Sequence, residues 1–201
     1  HSGSLEAWFC HVPGLKVLMP SNAYDAKGLL TSAISDDNPV IFISNKNCLQ
    51  TSCEVPDEAK TVPLGDAEIV RPGQYITLVA TGRLVHVALD AAERLQAAGL
   101  SAEVIDPRTL SPLDTDTILG SVKKTSRAIV LQEAVRSCGV GAEIAATIAD
   151  EAFDHLDAPV KRVGAPFSPV PFGPILEAVY LPNVEDIMAA AAEIFPNRLP
   201  A

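Results

Sequence analysis

Four short apolar runs, residues 75–80, 102–105, 128–132 and 160–163, alternate with stretches of helical periodicity at 85–98, 115–125, 141–156 and 184–195. This alternation constrains the fold most. The apolar runs have strand length, and strands separated by helices are joined by crossovers rather than hairpins, so they run mostly parallel. Helices then cover both faces of the sheet, with right-handed connections. The expected fold is α/β: a three-layer α/β/α domain around a mostly parallel sheet. Gly99 follows the first of these helices and is expected to take the left-handed C-cap conformation.

The first part of the chain reads helix, strand, helix, strand. Ser4 is placed to cap a helix over 5–10, which Val12-Pro13-Gly14 breaks. Residues 16–19 form a strand ended by Pro20, Ser21-Asn22 caps a helix running through Ile34, and residues 40–43 read as a buried β-branched strand after the turn Asp36-Asp37-Asn38-Pro39. From Asn45 to Pro72 periodicity is lost, with short strands expected only at 62–64 and 67–70. A stretch of that length without regular structure marks a boundary. The expected division is 1–45, a linker at 46–72, and a second domain at 73–201.

Composition narrows the partners. The formal net charge of −10 argues against nucleic acid and anionic membranes as partners, and no apolar run reaches the roughly 18–20 residues of a membrane span. Cys10, Cys48, Cys53 and Cys138 do not fall at Cys-x-x-Cys spacing, so reduced thiols are expected rather than a metal site or a disulfide framework. The chain opens on His1-Ser2-Gly3-Ser4 without an initiator Met or a secretory signal. This predicts a domain entered partway through, in a two-domain parent of about 320–350 residues.

Among the polar residues, His11, His86 and His155 read as structural. Arg108 and Asp114 bracket a Pro-containing loop, and an ion pair within the second domain plus a cap on the helix at 115 is expected of them. Asp36 and Asn38 suit a turn held by side-chain hydrogen bonds. Gly139-Val140-Gly141 lacks the full phosphate-binding glycine pattern and reads as the turn that launches a helix.

A series of matches runs along almost the whole chain: His1-Ser2-x-Ser4 with Ala7-Trp8-Phe9; His11-x-Pro13-Gly14-Leu15-Lys16-Val17; Asp25-Ala26-Lys27-Gly28-Leu29-Leu30; Thr81-Gly82-Arg83-x-Val85-His86; Val104-Ile105-Asp106-x-Arg108-Thr109-Leu110-Ser111-Pro112-Leu113-Asp114; Gly141-Ala142-Glu143-Ile144; Pro169-x-Pro171-Phe172; and Leu181-Pro182-Asn183. In order and spacing they resemble the beta subunit of the thiamine-diphosphate-dependent 2-oxo acid dehydrogenases, the family of the pyruvate, branched-chain 2-oxo acid and acetoin complexes. The chain departs from the family pattern at Ser44, Leu49, Pro107 and Gln132.

The resemblance implies the tail of a pyrimidine-binding domain followed by a transketolase-type C-terminal domain. It implies that His1 matches a catalytic histidine of the cofactor cleft, implicated in reductive acylation of lipoamide. A neutral imidazole can exchange a proton near pH 7. It further implies that the backbone oxygens of Ala33, Asp36 and Asn38 contribute to a structural potassium site. The expected cofactors are thiamine diphosphate and magnesium, the magnesium on an alpha subunit. The glutamate that activates the pyrimidine is expected upstream of His1, so the isolated chain is expected to be inactive. The expected partners are that alpha subunit, a second beta subunit and the lipoyl acyltransferase core, in the cytoplasm or the mitochondrial matrix. A non-catalytic assembly module is the alternative, and transketolase or deoxyxylulose-phosphate synthase, which share the C-terminal domain, are a third possibility.

Overall fold

The computed structural model describes residues 3–58 and 60–199. The first segment contains α1 (Glu6–Cys10), β1 (Lys16–Leu18), α2 (Ala23–Ile34), β2 (Val40–Phe42) and a 3-10 turn, Lys46–Gln50. There follow β3 (Glu68–Arg71), β4 (Ile76–Ala80), α3 (Leu84–Ala97), β5 (Ala102–Asp106), β6 (Thr109–Ser111), α4 (Thr115–Thr125), β7 (Ala128–Val135) and α5 (Val140–Glu151). A second 3-10 turn, Phe153–His155, leads to β8 (Lys161–Ala165), α6 (Pro174–Tyr180) and α7 (Val184–Ile194).

A five-stranded sheet has the order β3-β5-β4-β7-β8, parallel except for β3, which pairs antiparallel at the edge. Every residue of β4 and β5 is buried. Strand geometry sends alternate side chains to opposite faces. Ile76, Leu78 and Ala80 pack with α3 and α7, where Leu84, Ala88, Leu95, Ile187 and Ala191 complete one core. Val79, Ile105 and Val130 face the other way onto Ile118, Val122, Ile144 and Ile148 of α4 and α5. Thr77 turns into that same side, where its hydroxyl meets those of Ser121 at 2.6 Å and Thr125 at 2.7 Å. Apolar residues on both faces of the central strands explain the three layers.

The second sheet, β2-β1-β6, is shared between the two halves of the chain: β1 runs parallel to β2 and antiparallel to β6. Val17 and Met19 also enter the core formed by α4 and α5.

Several local expectations are corrected. α1 has Leu5 at its N-cap and no side-chain cap, so Ser4 does not close it. Asn22, in contrast, caps α2 by accepting from the Asp25 N–H at 2.8 Å. Residues 62–64 form no strand. They lie along α2, where Gly28 lets Val62 approach so closely that a Cβ would overlap it, and Ser32 Oγ donates to the Val62 carbonyl at 2.6 Å. The helix expected over 141–156 breaks after Glu151, and a tight turn brings Leu156 back against the core. β6 and α6 were not anticipated. β6 is only three residues long and takes its pairing from β1, far away in sequence. The residues of β2 are half-buried rather than fully enclosed. Gly99 adopts φ +77°, as its place after α3 requires.

Candidate functional site

The C-terminal ends of β1, β2, β4 and β7 converge on one side of the molecule, the side on which open α/β sheets place their ligands. A cavity of about 480 Å³ opens there, lined by Gly3–Glu6, Met19, residues 43–47, Glu133, Glu177 and Leu181. Glu133, near the end of β7, is the charge that ties the surroundings together. Arg83, which precedes α3, donates from Nε to Glu133 Oε2 at 2.9 Å and from Nη2 to the Pro182 carbonyl at 3.0 Å. Asn45 reaches from the first segment, donating from Nδ2 to Glu133 Oε1 at 3.3 Å, and also caps the 3-10 turn that follows it. The cavity is therefore walled by both segments of the chain.

Glu6, on α1, is 1% exposed, and neither carboxyl oxygen has a hydrogen-bond partner among the described residues. Burial raises its pKa above the ordinary range. The nearby backbone N–H of Glu6 itself offsets part of this rise, and the charge of Glu133 adds to it. Burial likewise pushes the Cys10 thiol up to about 11, with Glu6 contributing, so Cys10 is not an activated nucleophile.

Behind this cleft a buried polar network fastens the two segments. Ser21 Oγ donates to Asp106 Oδ2 at 2.5 Å, and His86 Nε2 lies 2.8 Å from the Ser21 carbonyl, an arrangement that places the proton on Nε2. Arg108 has left-handed backbone (φ 57°), with its N–H donating to Asp106 Oδ1 at 2.9 Å. Its guanidinium pairs with Asp25 at 3.1 Å and Glu68 at 3.3 Å and also donates to the Asp66 carbonyl. The ion pair of Arg108 thus reaches into the first segment and the linker rather than staying inside the second domain. Asp114 does cap α4, accepting from the Thr117 N–H at 3.0 Å.

Gln132 is buried beneath the start of α5. It accepts from the Gly141 N–H at 2.6 Å and donates to the Val135 carbonyl at 2.5 Å. Gly139 and Gly141 give this amide its room: a Cβ on Gly141 would stand 2.7 Å from Gln132 Oε1. The Gly139-Val140-Gly141 turn is therefore a seat for a side chain and a helix start.

His1 lies outside the described residues. Ala33, Asp36 and Asn38 gather at the turn after α2, at the opposite end of the short sheet from the cleft. There Lys16 binds the Asp36 carboxylate, holding it down to about 2, and the Asn38 N–H and side-chain amide both donate to Asp36 Oδ1. These contacts hold the turn by themselves. The charged lining of the cleft is Glu6, Glu133 and Glu177 against Lys46, and such a lining repels a diphosphate. Among the described residues this lining offers the diphosphate no cationic cradle. Among the described residues no group of three or more His, Cys, Asp or Glu side chains could hold a metal ion, and no helix is long and apolar enough to cross a membrane.

Sequence reasoning singled out none of the cleft's charged residues for a role. Glu133 had a readable signal, a charge near the end of a strand that is apolar but for Gln132. Glu6 had none, because a lone glutamate in an amphipathic turn normally faces water.

Residues 65–187 match the transketolase C-terminal domain, and residues 1–51 match the transketolase pyrimidine binding domain. The chain is 50% identical over 194 residues to the acetoin:2,6-dichlorophenolindophenol oxidoreductase subunit beta of Bacillus subtilis (strain 168), covering 96% of this chain and 57% of that protein. It is 46% identical over 195 residues to the pyruvate dehydrogenase E1 component subunit beta of the same organism, covering 96% of this chain and 60% of the relative. The chain thus spans less than two thirds of the length of these relatives. Among solved structures, a split gene transketolase described as an inactive beta4 tetramer superimposes with a TM-score of 0.79 at 25% identity, covering 96% of this chain and 61% of the other. The fold, the two domain matches and the order of the motifs agree: the chain belongs to the transketolase C-terminal domain family.

Proposed function

We propose that the chain is part of a 2-oxo acid dehydrogenase beta subunit, which with an alpha subunit decarboxylates a 2-oxo acid, or cleaves acetoin, and reductively acylates lipoamide. The observation that carries this reading is the cleft wall: Gly3–Glu6, which follow His1-Ser2 in the sequence, line the cavity at the converging strand ends. Similarity to acetoin and pyruvate dehydrogenase beta subunits over 96% of the chain supports it. In this reading residues 1–45 are the tail of the pyrimidine-binding domain, 46–72 a linker and 73–201 the C-terminal domain. Thiamine diphosphate supplies the electron sink for the 2-oxo acid chemistry, with diphosphate and magnesium held by the alpha subunit. The complex works in the cytoplasm or the mitochondrial matrix and passes its product to a lipoyl acyltransferase core.

His1 exchanges a proton with the lipoyl thiol during acyl transfer. In a beta subunit carrying these residues at the full length of the relatives, combined with an alpha subunit, thiamine diphosphate and magnesium, His1→Ala is expected to slow lipoamide acylation about 100-fold or more. Decarboxylation measured with an artificial electron acceptor should change much less. Equal losses in both assays would remove His1 from the acylation step.

The backbone oxygens of Ala33, Asp36 and Asn38 suit a hard cation, and we assign potassium to that turn in the assembled subunit. Exchanging potassium for choline at constant ionic strength should lower the subunit's melting temperature, and an unchanged melting temperature would remove the ion.

A second reading, an assembly module without catalysis, is favoured by one feature. Phe167, Phe172, Ile175, Leu176 and Val179 on and before α6 are all exposed, and exposed apolar side chains gathered in one stretch of chain suit a contact face. Complex formation without turnover on pyruvate, a branched-chain 2-oxo acid or acetoin would favour this reading.

A further inference from the structure

In a chain of formal net charge −10, a guanidinium readily finds a carboxylate. Arg83, Arg94, Arg108 and Arg127 each hold one. Among the described residues Arg136 and Arg162 form no ion pair. They sit on neighbouring parallel strands, Arg136 directly after β7 and Arg162 within β8. Both are held in place. The Arg136 N–H donates to the Ala165 carbonyl at 3.2 Å, and Gly164 makes room for its stem, since a Cβ there would stand 3.0 Å from Arg136 Cγ. Arg162 donates from Nη1 to the Arg136 carbonyl at 3.2 Å, which leaves its Nε and Nη2 for another acceptor. The two arginines line a cavity of about 540 Å³ with Ser137, Cys138 and residues 165–167, and no carboxylate belongs to that lining. They also border a smaller hollow of about 270 Å³ that includes Asp186 and Glu193. Those two acids are engaged already: Asp186 accepts from the Asn183 N–H, and Glu193 is bound by Lys161.

We propose that the larger cavity binds a small phosphate monoester, with Arg136 and Arg162 as the residues that receive its phosphate. Such a group carries close to two negative charges near neutral pH and presents three acceptor oxygens. Two guanidiniums match both the charge and the paired acceptors, which a single cation does not. Ser137 adds a hydroxyl donor at the same wall. Pro166 and Phe167, both exposed, give the cavity an apolar side on which the organic part of the ester lies. A cavity lined by one sign of charge concentrates its field on an incoming ion of the other sign, and here that sign is the reverse of the chain's own. The site is independent of the reaction proposed above. It shares no lining residue with the cleft at the strand ends and requires neither His1 nor a cofactor.

Phenyl phosphate is the probe, titrated by calorimetry into the 201-residue chain beside inorganic phosphate. Saturable binding of phenyl phosphate is expected, tighter than that of inorganic phosphate. Arg136→Gln and Arg162→Gln each remove one guanidinium and should weaken binding roughly tenfold or more. Lys123→Gln, exposed on α4 and outside the cavity lining, removes the same charge elsewhere and should leave the affinity unchanged. Far-UV circular dichroism verifies that each variant is folded. A second measurement uses the unaltered chain, so a misfolded variant does not prevent the test. Phenylglyoxal modifies accessible arginines, and phenyl phosphate should slow the labelling of Arg136 and Arg162 but not of Arg94 on α3, read by peptide mass spectrometry. Any of four results would overturn the proposal: no saturable binding, equal affinity for both phosphates, equal effects of the arginine and Lys123→Gln variants, or labelling of Arg136 and Arg162 that the probe does not slow.

Discussion

Asp106 is a carboxyl group whose surroundings pull in opposite directions. Its complete burial raises its pKa, the hydrogen bonds from Ser21 Oγ and the Arg108 N–H lower it, and Asp25 raises it again; burial wins and the group is held at about 7. The folded value lies above the unfolded one of about 3.9, so the folded chain binds this proton more tightly. Its contribution to stability is full below about pH 4, declines as the unfolded chain ionises, and is lost as pH rises through about 7, a change on the order of 4 kcal/mol. Asp106→Asn keeps an acceptor for Ser21 and carries no titrating proton. The stability difference between the unaltered chain and this variant, from urea unfolding at several pH values, should fall from pH 4 to 7 and level off above. A difference that does not vary with pH would show that Asp106 is ionised throughout. Asp106 was readable in sequence only as a member of a motif, and Arg108 only as half of an ion pair inside the second domain. Their partners Ser21 and Asp25 lie more than eighty residues away, and no local pattern encodes that meeting.

The junction of β7 and α5 shows how one side chain can shape the start of a helix. Gln132 fills the space above Gly139 and Gly141, and its amide occupies the Gly141 N–H, one of the donors that a helix N-terminus leaves unpaired. A Cβ at Gly139 would overlap the Gln132 amide, which two other hydrogen bonds hold in place. Gly139→Ala should therefore cost about 1–3 kcal/mol in denaturant unfolding, as overpacking does. In a Gln132→Ala background the same change should cost much less, giving a coupling in the range of about 0.5–3 kcal/mol. Additive effects would mean that the strain at Gly139 lies in its backbone instead. The turn and the helix were legible in Gly-Val-Gly, but the occupant of the seat was not.

Taken whole, the molecule interleaves its two segments. β6 completes the sheet of the first segment, Val17 and Met19 enter the core of the second, and Arg108 and Glu133 carry polar ties in both directions. On α6, Ile175, Leu176 and Val179 are exposed. If α6 is the contact face, Ile175→Glu with Val179→Glu should abolish association with a second copy or an alpha subunit in sedimentation experiments. The melting temperature should hardly move, because both side chains are exposed. Unchanged association would place the contact elsewhere.

Alternation of apolar runs with helical periods was sufficient to define the α/β architecture, since the strands and helices of the second domain, β6 and α6 apart, are written in their own contiguous residues. The family resemblance was legible for the same reason, as motifs in order along the chain. The burial of Glu6, the reach of Arg108 into the first segment and the pairing of β6 with β1 were not legible. Each depends on residues distant in sequence meeting in space, and on the loss of water at that meeting, which alters the chemistry of a side chain without altering its identity.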